Sequence, residues 1–145
     1  MGVILNRPMG RKLSDLDSSF AGKSFGDTPV YEGGPVEKEK LIIAAWEWLA
    51  SPSSFKLYFG IDMEKAENLQ ADNPSVKIAC FVGHSGWSPG QLEHELNEDA
   101  WIVSALDKEL FAQLEDKQVV WKNVVGSVSD ELRFLADAPE DPELN

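Results

Sequence analysis

A chain of 145 residues with 43% hydrophobic content is long enough to bury one core and too short for two of comfortable size. Asp and Glu outnumber Lys and Arg by 25 to 13, a formal charge of -12, so a DNA phosphate backbone is repelled and direct duplex binding is disfavoured. A single cysteine, Cys80, excludes an internal disulfide and a multi-cysteine zinc site. No stretch approaches the ~20 apolar residues of a membrane span, and the cytoplasm is the expected compartment.

In chain order, Gly2 to Leu5 reads as a short strand closed by Asn6-Arg7-Pro8, because proline removes a donor and holds the residue before it extended. Residues 9 to 28 read as a loop with one helical turn near Leu13 to Leu16. Met1-Gly2 lacks the Ser or Thr at position 6 that myristoylation requires. Val30-Tyr31 leads into Glu32-Gly33-Gly34-Pro35-Val36, a tight turn. Leu41 to Leu49 fits helical spacing and a buried strand, and the strand is the favoured reading; Phe55 to Phe59 is another. Asp62 caps a helix with Met63, Ala66 and Leu69 on one side.

Val76, Ile78, Cys80 and Val82 alternate with Lys77, Ala79 and Phe81, the period of a strand buried on both faces. A helix is predicted from Ser88, with Ser88 as cap, Pro89 at the first helical position and Gln91 reaching back. Trp101-Ile102-Val103 reads as a strand. Asp107 then caps a helix with Leu110, Phe111 and Leu114, and Val120, Trp121, Val124 and Val125 continue helically until Gly126 stops them. Strands and helices interleave, so the predicted class is α/β, a single compact domain with a mixed β-sheet flanked by helices. That domain spans residues 1–136. The tail 137–145, with two prolines and four carboxylates, is too polar to fold alone.

The stretch "CFVGHSGWSPGQLEHEL" at 80–96 resembles the serine elbow of a hydrolase but departs from it. The elbow needs glycine two residues after the serine, where this chain has Trp87, and the sole histidine after His84 is His94, in the same helix. Nor does His94 to Glu98 complete a zinc-protease pattern, whose second histidine is here Glu98. A metal site from His84, His94 and Glu98 competes with a plain solvated helix face, which is the favoured reading.

What survives is a strand, a glycine-rich turn and a helix amino terminus, which favours an anion. The competing reading is architectural: the cap satisfies those donors, Trp87 fills the core, and Gly86 and Gly90 make room. Arg7 is a structural partner for carboxylates or a clamp on a ligand anion. Cys80 is an inert packed thiol or, near the end of its strand, a redox sensor.

The motifs "GVILNRP" at 2–8, "VYEGGPV" at 30–36, "GHSGWSPGQLEHE" at 83–95, Trp101 and the closing "DPELN" together resemble the YqgE/AlgH family of bacterial and plastid proteins. The resemblance implies a single α/β domain with a mixed sheet. It also implies a family labelled as transcriptional regulators, with no established molecular activity and no catalytic residues to carry over. It marks Asn6, Arg7, Pro8, Gly33, Gly34, Pro35, Gly86, Trp87, Gly90 and Gln91 as the fold and site signature. Family members carry a further strand ahead of the first motif; without it a sheet edge is exposed, and dimerisation or aggregation through that edge is expected.

Two functions remain. The leading one is a non-enzymatic regulatory or binding domain acting through a protein partner or a small anionic ligand, with Asn6, Arg7, Gly33, Gly34, His84, Ser85, Gly86, Trp87, Gly90 and Gln91 as the ligand-binding set. No cofactor or metal is called for, and the oligomeric state is open. The alternative is a small enzyme using Ser85, His84, Cys80 or nearby carboxylates on a substrate held by Arg7. It requires His84 within hydrogen-bond reach of Ser85 or Cys80.

Overall fold

The computed structural model describes residues 1–49, 54–105, 108–113 and 117–128. The chain packs as two compact units, Met1–Gly86 and Trp87–Asn145.

The first unit is built on a mixed sheet. Its strands are β1 (Pro8–Lys12), β2 (Pro29–Glu32), β3 (Val36–Trp48), β4 (Phe55–Ile61) and β5 (Lys77–His84), in the order β1-β2-β5-β3-β4. β5 runs parallel to β2 and antiparallel to β3, while β1 and β4 close the two edges in antiparallel pairing. The α/β class and the mixed sheet are those the sequence implies. β5 lies inside the sheet and is covered on both faces, Ala79 and Phe81 being 1% exposed on one side and Cys80 0% on the other, which is why its apolar residues run on without polar interruption from Ile78 to Val82.

In register, Val30 lies beside Cys80 and Cys80 beside Ile43. These three form a core with Leu13, Phe25 and Ala66, and Ile61, Met63, Ile78 and Val82 pack against it. Leu13 comes from α1 (Leu13–Leu16) and Ala66 from α2 (Met63–Asp72), so both helices cover this face. α2 starts where expected: the Asp62 carboxylate accepts the Lys65 N–H at 2.8 Å, satisfying a donor that the first helical turn leaves free. The alternate residues Tyr31, Phe81 and Ile42, also aligned in register, are 5%, 1% and 5% exposed.

Several local expectations change. The first strand is Pro8–Lys12 rather than Gly2 to Leu5. Proline is tolerated at the first residue of an edge strand, where its missing N–H breaks no ladder, so Pro8 opens the strand instead of ending one. The segment read as a loop from residue 9 therefore begins inside β1, then forms α1 and a 3-10 turn at Ser18–Phe20.

In the second unit, α3 spans Gln91–Asn97, α4 Lys108–Ala112 and α5 Lys117–Val128. α5 runs through Gly126, since a helix-interior glycine costs only about 1 kcal/mol. Trp101-Ile102-Val103 forms no strand. Asp107, Leu114 and the tail 137–145 lie outside the described residues. Among the described residues no helix is long and apolar enough to cross a membrane.

Candidate functional site

The parallel strands β2 and β5 finish at the same end of the sheet, and in the first unit the glycine and proline motifs converge there. Beyond Glu32, Gly33 donates its N–H to the Val82 carbonyl at 2.8 Å. Residues 2–7 then cross both strand ends. Gly2 and Ser85 exchange backbone hydrogen bonds of 2.9 and 2.8 Å, Ile4 N–H donates to the Gly33 carbonyl at 2.8 Å, and the Arg7 carbonyl accepts the Glu32 N–H at 2.9 Å. Asn6 is bracketed by the last two.

The glycines here are needed for backbone contact. A Cβ on Gly33 would lie 2.3 Å from the Gly83 carbonyl oxygen, and one on Gly34 would lie 2.3 Å from the His84 carbonyl carbon. Gly83 is constrained in return, its own Cβ position falling 2.4 Å from the Gly34 oxygen. Two chain segments far apart in sequence thus pass closer than any side chain permits.

His84 follows Gly83 and is 9% exposed. Its Nδ1 is buried with no hydrogen-bond partner among the described residues and lies 3.7 Å from Glu37 Oε2. Glu37 belongs to a looped-out stretch of β3: Val36 pairs with His84 and Leu41 with Val82, so residues 37–40 stand opposite Gly83 alone. Lys40 holds the same Glu37 oxygen at 3.2 Å. Arg7 is exposed, and its guanidinium has no ion-pair partner among the described residues.

The hydrogen bond an enzyme would need is not made. Among the described residues, His84 bonds neither Ser85 nor Cys80, and Ser85 is committed through its backbone to Gly2. No group of three His, Cys, Asp or Glu among them is placed to hold a metal ion. His94, with its side chain 71% exposed, sits 3.6 Å from Glu98, one helical turn on. Cys80 is 0% exposed inside the core, and burial pushes its thiol up to about 12. The thiolate is the reactive form, so labelling by a disulfide reagent near pH 8 is expected to be at least about a hundredfold slower in the folded protein than in denaturant. Prompt labelling of the folded chain would identify an accessible, sensor-like thiol instead.

Trp87, Gly90 and Gln91 belong to the second unit, where they form their own set. The helix begins at Gln91 rather than Ser88. Gly90, with φ +79°, is its N-cap and offers no side-chain bond, while Ser88 to Gln91 makes a turn closed by Gln91 N–H to the Ser88 carbonyl at 3.0 Å. Gln91 does reach back, Oε1 accepting the Ser88 N–H at 3.0 Å. Among the described residues nothing lies within 4 Å of a Cβ built on Gly86 or Gly90, so neither glycine makes room for a described neighbour. One donor of this turn is already taken by Gln91 Oε1, and α3 is only seven residues long.

Glu95, absent from the sequence-based set, organises this unit. Oε2 accepts both indole N–H groups, Trp87 at 3.0 Å and Trp101 at 2.7 Å, while Oε1 accepts Gln91 Nε2 at 2.9 Å. The two indoles meet edge to face with centroids 5.9 Å apart. The Gln91-to-Glu95 spacing, one helical turn, is the only signal the sequence offered.

These bonds, Trp101 first, then Gln91 and Trp87, hold the Glu95 carboxyl below the usual carboxylate range. A lowered folded-state value means the stabilisation is present above the unfolded value and is lost as pH falls through the lowered one. On acid titration the tryptophan emission is expected to change in that window, and Glu95→Gln should remove the step. A step that persists in Glu95→Gln would assign it to another carboxylate.

The AlgH-like family model, DUF179, matches residues 1–133. A UPF0301 protein of Bacteroides fragilis is 30% identical over 100% of this chain and 75% of its own length; one from Chlorobium luteolum is 32% identical over 100% and 78%. The solution structure of the AlgH protein from Pseudomonas aeruginosa superposes with a TM-score of 0.60 at 21% identity, covering 97% of this chain and 79% of that one. The crystal structure of a Corynebacterium diphtheriae protein gives 0.63 at 20%, covering 94% and 74%. At those identities the two structures speak for the fold alone. The motifs at 2–8, 30–36 and 83–95, the mixed sheet and the length of the match agree, and the chain belongs to the AlgH-like family.

Proposed function

We propose that this chain is a regulatory binding domain that takes a small anionic ligand, a carboxylate or phosphate, where residues 2–7 cross the ends of β2 and β5. The observation that carries this reading is the buried His84 Nδ1, which has no hydrogen-bond partner among the described residues. A buried polar atom left unpaired costs on the order of 1–3 kcal/mol, a cost that a ligand oxygen accepting its proton would remove. Arg7 supplies a guanidinium with no carboxylate on it among the described residues, suited to bidentate contact with such a group. Lys40 offsets the nearby Glu37 charge. Asn6, Gly33, Gly34 and Ser85 shape the backbone around the ligand. The net charge of -12 sets this domain apart from one that grips DNA itself.

A thermal-shift series with inorganic phosphate, nucleotides and small di- and tricarboxylates tests it. A ligand at about a hundred times its dissociation constant adds about 2.7 kcal/mol, on the order of 8 °C for a domain of this size. Arg7→Ala is expected to abolish the shift without lowering the ligand-free melting temperature, and His84→Leu to abolish it while holding or raising that temperature. A shift that survives both substitutions moves the site elsewhere, and no shift with any anion removes the reading.

A further inference from the structure

Independently of the anion site, we infer that Trp101-Ile102-Val103 is a docking strand for an extended segment of a partner protein in which apolar and basic side chains alternate. Tryptophan, isoleucine and valine rank among the strongest strand formers, yet these three lie in no strand. Their side chains are 49%, 47% and 76% exposed. Among the described residues no backbone–backbone hydrogen bond reaches residues 101–105, and the Ser104 hydroxyl, donating to the Ala105 carbonyl at 3.3 Å, makes its bond outside the three residues in question. Free N–H and C=O groups flanked by apolar side chains are the template on which a partner strand adds. The stretch is also held in place: Trp101 is tied to Glu95 at 2.7 Å and lies edge to face with Trp87. Ordering before binding lowers the entropy lost on association.

Charge selects the occupant. From Trp87 to Asp107 the chain carries Glu93, Glu95, Glu98, Asp99 and Asp107 and no lysine or arginine. A second copy would bring the same carboxylates against these, whereas a segment with lysine or arginine between its apolar residues meets opposite charge. Tryptophan is enriched among the residues that dominate binding energy at interfaces, and Trp101 is the anchor here.

The probe is a fluorescein-labelled peptide of about ten residues alternating valine and lysine, titrated with the whole chain and followed by anisotropy. Saturable binding in the range of tens of micromolar is expected, as for a small transient interface. It should weaken about tenfold between about 0.05 and 0.5 M salt. Glutamate in place of lysine, or N-methylation of the amides on the pairing edge of the peptide, should abolish it. Val103→Asp should weaken it at least tenfold although the substitution makes the chain more acidic, and at 76% exposure the change leaves folding intact. Arg7→Ala should leave it unchanged, which separates this surface from the anion site. No binding, equal binding of the N-methylated peptide, or indifference to Val103→Asp would overturn the inference. So would a dimer of the chain alone, seen by sedimentation and dispersed by Val103→Asp, because a second copy would then be the occupant.

Discussion

Gly34→Ala is expected to cost on the order of 3 kcal/mol or more of folding stability, against about 1 kcal/mol for Gly10→Ala. Both glycines have positive φ, +155° and +65°, but nothing lies within 4 Å of a Cβ on Gly10. At Gly34 the new carbon would meet His84 C at 2.3 Å, His84 O at 2.4 Å and Ser85 N at 2.6 Å. All three are backbone atoms, so no side chain can swing aside. Relief requires the chain after β2 to move off β5, which breaks the 2.8 Å bond from Gly33 N–H to the Val82 carbonyl. The 2.8 Å bond from Ile4 N–H to the Gly33 carbonyl goes with it. Urea denaturation of the two variants side by side measures the difference. Equal losses would mean that the close approach relaxes freely and that the motif reports turn geometry alone.

The same residues show how much of this protein was legible in its sequence. The double glycine at 33–34 was read as a tight turn, yet the partners that demand it, Gly83 and His84, lie some fifty residues on, and reciprocal approach between distant segments leaves no local trace. β5 was legible because a strand buried on both faces reads as uninterrupted apolar sequence from Ile78 to Val82. The Asp62 cap was legible because capping involves neighbours in the chain.

Gly2 to Leu5 has the composition of a strand without being one, because apolar composition shows that a segment is covered but not that it pairs along its length. Its backbone makes isolated bonds to Ser85 and Gly33 rather than a ladder. Trp101-Ile102-Val103 has the propensity of a strand, and propensity supplies no partner. His84 was singled out for its motif, but its buried orphan nitrogen depends on Glu37 looping out of β3, which no spacing announces. The role of Glu95 leaves little local trace because two of its three donors, Trp87 and Trp101, stand eight residues before it and six after.

The other large effect is expected at the centre of the sheet. Phe81→Ala should cost about 4 kcal/mol and lower the melting temperature by on the order of 10 to 15 °C. Phe81 heads the fully buried side chains at 1% exposure, and its ring packs on that of Tyr31 at 5.6 Å. Its backbone is flanked in register by Tyr31 on β2 and Ile42 on β3. Strands pinned on both sides cannot close over the vacated volume, so the cavity persists and the cost stays near the upper part of the range for such truncations. Leu57→Ala on edge strand β4, where the side chain is 53% exposed, should change stability by less than about 0.5 kcal/mol.

Combining Phe81→Ala with Gly33→Ala tests whether packing or backbone approach dictates the glycine. A Cβ on Gly33 would lie 3.0 Å from Phe81 Cβ but only 2.3 Å from the Gly83 oxygen. Alanine at 81 keeps that Cβ, so no rescue is expected, and a stabilising osmolyte keeps the double variant measurable. If removing the ring restored the Gly33→Ala protein, the aromatic side chain, and not the meeting of two backbones, would be what requires glycine at the end of β2.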